Sequence, residues 1–238
     1  MTATVRLDTR PYGDSAVLVR AHGGDAEQRW RRVQSLAGAL GAGLPPGVEN
    51  VVATYDCVLV EFDPDVSAHR DIARAVSRAA GVEGDAAAHP PRRLFRVPVV
   101  YGGEHGPDLD DVADWLGMTA TRLVEWHGGV DWIIRFRGAP VGAPMMEGPR
   151  FPRPVRRHPE PRIAVQPGSV ALAGEQGVIY PVLSPGGWRI VGRTPLALVD
   201  FDRNPPMPYR SGDRIRFVPM DRSRWAELAD RPLEPADG

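Results

Sequence analysis

The stretch PPGVENVVATYDCVLVEFDP, residues 45–64, contains two short runs of apolar, largely β-branched residues. Such runs, bounded by proline and glycine, predict two β-strands. Apolar residues recur at helical spacing on both sides, in AEQRWRRVQSLAGALGAG (residues 26–43) and DVSAHRDIARAVSRAAG (residues 65–81). With the strand-like run SAVLVR (residues 15–20) ahead of them, the order is β-α-β-β-α, which is typical of a split βαβ, ferredoxin-like sandwich.

The pattern changes after this region. GVEGDAAAHPPRR, residues 81–93, has no periodicity and contains two adjacent prolines, which predicts a linker. Beyond it, many short apolar runs cut by glycine and proline predict a barrel or a compact β-sandwich. We therefore expect an α+β chain with an N-terminal α/β domain (residues 1–88), a second domain that is a barrel or a sandwich (residues 89–225) and a flexible tail (residues 226–238). The strand-like runs are FRVPVV, VALAG, GVIYPVL, WRIVG, LALVDF and DRIRFVP.

Composition excludes several kinds of chemistry. All 29 basic residues are arginine, so a lysine Schiff base and a Walker-type phosphate loop are both excluded. If the protein uses ATP, another subunit is expected to hold it. The net charge of −1 gives no general reason to bind nucleic acid or an anionic membrane. Cys57 is the only cysteine and lies in a strand-like run, which favours a buried structural thiol over a nucleophile.

The sequence also predicts where the protein works. Its first residues, MTATVRLDTR, do not resemble a secretory signal, and no apolar run approaches the roughly 18 to 20 residues of a membrane span. We therefore expect a soluble, cytoplasmic protein. No two histidines have metal-ligand spacing, so no metal site is predicted.

Two polar segments each allow a functional and a structural interpretation. DLDDVADWLGMTATRLVEWH, residues 108–127, has the spacing of a helix-turn-helix, but four aspartates crowd its first helix and would repel phosphate. We expect a helical hairpin packed on the barrel. RFPRPVRRHPEPR, residues 150–162, contains five arginines; they either form a cluster for carboxylate or phosphate or belong to an extended, solvated loop.

Several long motifs occur in an order that resembles a known family. YGDSAVLV, PPGVENVVATYDCVLVEFDP, YGGEHGPDLDDVA, PGSVALAGEQGVIYP, SPGGWRIVGRTPL and SGDRIRFVP together cover residues from about 12 to 220. They resemble the family of the 5-oxoprolinase B subunit, also called the KipI or allophanate hydrolase subunit 1 family. The resemblance implies an N-terminal α/β domain followed by a cyclophilin-like β-barrel.

The resemblance also implies an activity and partners. Family members work beside a second, KipA-like subunit of related barrel fold (the C subunit), and with the A subunit they form an ATP-dependent enzyme that opens 5-oxoproline to glutamate. Relatives serve as the carboxyltransferase part of a biotin-dependent urea carboxylase. One branch inhibits a sporulation histidine kinase without being an enzyme. All three functions remain open at this point, with ATP bound by or shared with a partner and biotin relevant only to the second.

One stretch departs from the family pattern. The family usually shows G-F-x-P-G-F-x-Y-L after the second helix of the hairpin, where this chain reads RFRGAPVGAPMMEG, residues 135–148. If Val141 is treated as an insertion, the aromatic positions become Ala143 and Met145. If those aromatics stack on a flat substrate or on biotin, that function is weakened here.

The stretch SPGGWRIVGRTPL, residues 184–196, is the predicted rim of the site, because glycine allows close approach and tryptophan offers a flat apolar face. Arg193 offers a planar fork for a carboxylate. Each of these residues also has a structural alternative: Trp188 as core, Tyr180 as a barrel plug, and Arg193 satisfied by backbone carbonyls. The predicted substrate-binding residues are Gln176, Tyr180, Gly186, Gly187, Trp188, Arg193 and Thr194.

A 5-oxoprolinase mechanism also needs a base. Asp108, Glu104 and His127 are the candidates, because carboxylates and imidazoles are the usual general bases. His127 ends the second helix of the hairpin, where a capping role is the structural alternative.

Overall fold

The structure, a computed structural model, describes residues 4–81 and 92–236. The chain divides into two compact units, Met1–Pro91 and Arg92–Gly238. The predicted boundary at residue 88 and most of the predicted linker lie outside the described residues.

The first unit is a four-stranded antiparallel sheet with two helices. The sheet has the order β1-β2-β4-β3, so β4 lies between the two strands that α1 connects. This arrangement confirms the predicted split βαβ sandwich. β1 was not predicted, because RLDTRP is mostly polar and lies at the sheet edge. The elements are β1 (Arg6–Pro11), β2 (Ala16–His22), α1 (Ala26–Ala42), β3 (Val48–Ala53), β4 (Cys57–Phe62) and α2 (His69–Gly81).

The helices of this unit begin and pack as their sequences predict. Asp25 and Gln28 form a reciprocal capping box at the start of α1. The apolar stripe of α1 and the Ile72 face of α2 are buried in one core with β2 and β4. Cys57 is half-buried, and burial is the main cause that raises the pKa of its thiol, which disfavours the reactive thiolate.

The second unit is built on a closed seven-stranded barrel with the order β10-β7-β6-β13-β5-β12-β9. This confirms the predicted α+β fold class with a β-barrel second domain. β5 and β13 pair in parallel, and β8 and β11 form a separate two-stranded ribbon. The strands are β5 (Leu94–Tyr101), β6 (Trp132–Gly138), β7 (Ala143–Glu147), β8 (Arg162–Val165), β9 (Ser169–Ala173), β10 (Gln176–Ile179), β11 (Ser184–Gly186), β12 (Arg189–Arg193) and β13 (Arg214–Pro219).

Two helices connect β5 to β6 and pack on the barrel. α3 (Leu109–Leu116) ends at Gly117, whose left-handed φ of 74° suits a glycine cap, and α4 (Ala120–Gly128) follows. Their buried apolar residues belong to the same core cluster as Trp132 and Phe217 of the barrel. The helical hairpin packed on a barrel is therefore confirmed.

The end of the chain lies against the second unit. LALVDF, residues 196–201, is not a strand; Ala197 makes only an isolated bridge to Pro232, because prolines interrupt the backbone donors on both sides. After a 3₁₀ turn (Arg222–Arg224) and the short helix α5 (Trp225–Leu228), Leu233 is buried and the Ala236 N–H donates to the Leu94 carbonyl. The segment expected as a flexible tail is thus bonded to the barrel unit up to Ala236.

Candidate ligand-binding site

The SPGGW turn receives the side chain of Tyr180. Tyr180 is buried, and a Cβ at position 186 would overlap its hydroxyl, so glycine is required there. The backbone N–H of Trp188 hydrogen-bonds the phenolic oxygen. Burial raises the pKa of Tyr180, although this hydrogen bond and the nearby Arg157 and Arg162 act in the opposite direction. The tyrosine is therefore a neutral hydroxyl group held in a fixed position.

A cleft of about 180 Å³ opens beside this tyrosine. Its walls come from β6, β7 and β10 of the barrel, from the SPGGW turn and from the arginine-rich segment 150–162. Most of the lining is apolar, with one guanidinium group and one phenol, which is the usual character of a small-molecule site. The lining residues are Phe136, Gly138, Ala139, Met145, Arg157, Val178, Tyr180 and Trp188.

Arg157 is the only cation among these lining residues. Its guanidinium carbon lies 5.5 Å from the centre of the Trp188 ring, which permits a cation–π interaction. Within the described part of the chain, no carboxylate forms an ion pair with it. The cleft thus carries an uncompensated positive charge beside an aromatic wall.

A second polar cluster surrounds Asp108, the residue before α3. Asp108 is 3% exposed. Its carboxylate accepts hydrogen bonds from Arg162 (2.8 Å), the Ile190 backbone N–H (2.7 Å) and His158 Nε2 (3.0 Å). Burial alone would raise the pKa of Asp108, but these three hydrogen bonds outweigh it and the pKa lies below its usual value. An ionised carboxylate with both oxygens occupied is suited to holding other groups in place.

The Asp108 cluster and the cleft share one segment. His158 bonds Asp108 through its side chain, while its backbone N–H donates to the Gly187 carbonyl at 2.8 Å. Arg157 is the residue immediately before it. The hydrogen bonds of His158 therefore fix the backbone that carries the Arg157 guanidinium to the cleft.

Arg193 and Thr194 lie apart from the cleft. Arg193 donates from Nε to the Pro167 carbonyl at 2.8 Å, and its guanidinium carbon is 5.2 Å from the Trp225 ring centre. Thr194 is buried, and its hydroxyl accepts from the Leu196 N–H. Neither residue is among those that line the cleft. The environment of Arg193 matches the structural alternative, in which a backbone carbonyl satisfies the guanidinium.

The three candidate bases occupy three different environments, and none lines the cleft. Asp108 belongs to the buried cluster. Glu104 is exposed, with Oε1 2.5 Å from Nη2 of Arg222. His127 is enclosed among Tyr101, Trp132 and Phe217, with its Nδ1 2.7 Å from the Tyr101 hydroxyl.

Burial lowers the pKa of His127 to about 3. Its Nε2 has no hydrogen-bond partner among the described residues. The imidazole is therefore neutral near pH 7, and it is not among the residues that line the cleft.

Of the predicted substrate-binding residues, Tyr180 and Trp188 line the cleft, and Gly186 makes room for the tyrosine. Gly187 contributes its carbonyl to His158. Gln176 begins β10, where it pairs with Glu147 and Ala173, and it is not among the lining residues. The sequence did not single out Arg157 or His158 as site residues. The signal that could have found them was the five-arginine motif, residues 150–162, which contains both.

The arginine-rich segment is anchored, although four of its five arginines are exposed and Arg162 is half-buried. Phe151 and Val155 are buried. The guanidinium groups of Arg153 and Arg156 both lie over the Trp115 ring, at 4.1 Å and 3.8 Å from its centre. The structure therefore places four of the five arginines at the surface, as the solvated-loop alternative expects, and adds aromatic contacts for Arg153 and Arg156 that the sequence did not predict.

Neither a metal site nor a membrane span is found within residues 4–81 and 92–236. No three histidine, cysteine or acidic side chains are grouped there so as to hold a metal ion. Every helix in these ranges is too short or too polar to cross a membrane.

The sequence matches one family and several named proteins. The family described as carboxyltransferase domain, subdomain C and D, matches residues 7–209. A Bacillus subtilis (strain 168) protein, named as the B subunit of 5-oxoprolinase, is 31% identical over 90% of this chain and 93% of its own length. An Escherichia coli O157:H7 protein of the same name is 40% identical over 58% of this chain, and the match spans 63% of that relative, less than two thirds.

Solved structures share the fold. The crystal structure of TTHA0988 has a TM-score of 0.73 and 31% identity, covering 87% of this chain and 40% of that longer chain. The Kluyveromyces lactis urea amidolyase has a TM-score of 0.77 over 99% of this chain and 17% of its own. At 16% identity, the second match shows a common fold alone.

Proposed function

Because the chain belongs to the carboxyltransferase domain family, subdomains C and D, we propose that it is one component of an ATP-dependent 5-oxoprolinase. The observation that carries this proposal is the match to a 5-oxoprolinase B subunit over 90% of the chain. In the proposed enzyme the chain acts with a second barrel subunit and a third subunit. An ATP-consuming reaction of this kind belongs in the cytoplasm, where we propose that the protein works.

The proposed reaction opens a five-membered lactam. Water adds across the C–N bond of 5-oxo-L-proline, the ring nitrogen leaves as an amine, and L-glutamate forms while ATP is hydrolysed. This chain has no lysine and no phosphate loop, so in the proposed enzyme ATP is bound by, or shared with, a partner subunit. The contribution of this chain is to bind the small substrate in the Tyr180–Trp188 cleft.

Reconstitution tests the proposal. The chain would be purified alone and together with the subunits that co-purify from its native host, and glutamate release from 5-oxo-L-proline would be followed with and without ATP. We expect turnover only for the complex with ATP, because the isolated chain has no lysine and no phosphate loop to hold the nucleotide. Turnover by the isolated chain, or none by the complete complex, would contradict it.

A carboxyltransferase component is the second candidate, favoured by the description of the matching family. It would act on a biotinylated carrier, so avidin would abolish activity in the same reconstituted system. The change to Ala143 and Met145 in the 135–148 stretch weighs against it if a flat biotin ring needs aromatic neighbours. The histidine-kinase inhibitor predicted as a third function would show no turnover in any complex.

A further inference from the structure

We propose that Arg157 binds the carboxylate of the substrate in the Tyr180–Trp188 cleft, and that the ligand is a single small ring bearing one carboxylate. The identity of the substrate rests on the proposed function, but the assignment of Arg157 rests on the cleft itself. Arg193, the predicted carboxylate partner, lies outside the cleft.

The arginines around the cleft differ in their partners. Arg162 and Arg189 face Asp108, with N–O distances of 2.8 Å and 3.8 Å. Arg156 lies over Trp115 instead. Of these arginines, Arg157 is the one that lines the cleft, and no carboxylate within the described residues forms an ion pair with it. A planar guanidinium at the edge of a small pocket can bind a carboxylate through two parallel hydrogen bonds.

The size and lining of the cleft restrict the ligand. A volume of about 180 Å³ equals the space of roughly six water molecules, which suits one ring with a carboxylate. Phe136, Met145 and Val178 offer an apolar surface for the ring methylenes. Besides Arg157, the polar side-chain groups of the lining are the Tyr180 hydroxyl and the indole N–H of Trp188, and the Tyr180 hydroxyl suits the ring amide.

The anchoring of the backbone supports the assignment. His158 is bonded to Asp108 by its side chain and to the Gly187 carbonyl by its backbone. These bonds hold the Arg157 backbone before any ligand arrives, which lowers the entropy lost on binding. Asp108 and His158 are in this account positioning residues.

A comparison of two ligands with two variants tests the proposal. The ligands are 5-oxo-L-proline and 2-pyrrolidinone, which has the same ring without the carboxylate. The variants are Arg157→Lys and a matched control, Arg156→Lys, made in the neighbouring arginine outside the cleft. Calorimetric titration of the reconstituted complex gives the preference for the carboxylate as a ratio of two Kd values, and thermal melts show whether each variant is folded.

We expect the wild-type complex and the Arg156→Lys complex to bind 5-oxo-L-proline more tightly than 2-pyrrolidinone. In Arg157→Lys the ratio of the two Kd values should fall by about tenfold or more, while the Tm stays unchanged. If all three proteins show the same preference, or if no protein binds 5-oxo-L-proline, the proposal is wrong. Failure of the proposed function is a separate result: binding would depend on Arg157, but the complex would release no glutamate.

Discussion

The cleft and the Asp108 cluster are neighbours that share the segment around His158. They differ in whether the charged group has an opposite charge beside it within the protein. In the cluster, a buried carboxylate is matched by two hydrogen-bonding side chains and a backbone N–H. In the cleft, Arg157 lies beside an aromatic ring, and the described chain supplies no anion for it. In the first arrangement the carboxylate is satisfied within the protein, whereas in the proposed complex a ligand carboxylate would pair with Arg157.

On the proposal above, this difference distinguishes Arg157 from Arg162 and Arg189, which face a carboxylate within the protein. A buried charge needs a partner within the protein. An arginine that is fully paired in this way therefore contributes to folding rather than to ligand binding. Charge pairing could not be read from the sequence, in which the five arginines of residues 150–162 look equivalent. The following predictions alter one side of the comparison at a time.

The largest effect is expected from Asp108→Asn. This change leaves the side chain nearly the same size but removes the negative charge that faces Arg162 and His158. Because breaking a buried pair leaves a charge uncompensated, we expect the free energy of unfolding to fall by about 3 kcal/mol. Chemical denaturation of wild type and the variant at pH 7 measures this difference in the free energy of unfolding.

Asp114→Asn is the matched control in α3, the helix that Asp108 precedes, because Asp114 is exposed and has no ion pair among the described residues. We expect that variant to lose less than about 0.5 kcal/mol. Equal losses in the two variants would contradict the structural role of the Asp108 cluster.

A smaller effect on stability is expected from His127, a buried side chain with no opposite charge beside it. Its pKa is about 3 in the folded protein. In the unfolded chain the pKa is about 6.5. The unfolded state therefore gains a proton first as the pH falls, and stability is present above pH 6.5 and lost below it. Between pH 7 and pH 5 we expect a loss of about 2 kcal/mol from this residue.

Urea unfolding of wild type and His127→Phe at both pH values isolates this contribution, since the other histidines are common to both. The variant should lose about 2 kcal/mol less than wild type over that interval. A pH dependence that is identical in the two proteins would show that His127 is not held neutral in the fold.

Arg193→Lys should give the smallest change. Lysine keeps the charge but loses the Nε–H that donates to the Pro167 carbonyl and the planar group near Trp225. We expect a loss of about 1 kcal/mol in stability, with substrate affinity unchanged. Melts and titrations on one preparation decide the matter, and a tenfold loss of affinity without loss of stability would restore Arg193 to the site.

Much of the fold could be predicted from the sequence, because its signals are local. The apolar spacing of residues 26–43 and 65–81 predicted both helices of the first unit, and the short β-type runs predicted the barrel. β1 was missed because its polar edge position leaves little alternation. LALVDF was misassigned because its apolar residues pack without a strand ladder, as the buried Leu198 shows.

The site was less predictable, because it depends on which distant segments meet. Trp188 and Tyr180 were found from their chemistry, and the cleft does bring them together. Arg193 is only five residues from Trp188, but β12 carries it to the Pro167 carbonyl and away from the lining residues. His127 was selected for its imidazole, whereas its enclosure by aromatic rings is a tertiary property.

The central claim is that the cleft, and neither the Asp108 cluster nor the Arg193 environment, binds the substrate. The most direct test is a crystal structure of the reconstituted complex soaked with 5-oxo-L-proline. The account predicts ligand density between Trp188 and Met145, with the carboxylate within hydrogen-bond distance of the Arg157 guanidinium. Ligand density beside Arg193, or anywhere else with the cleft empty, would contradict it.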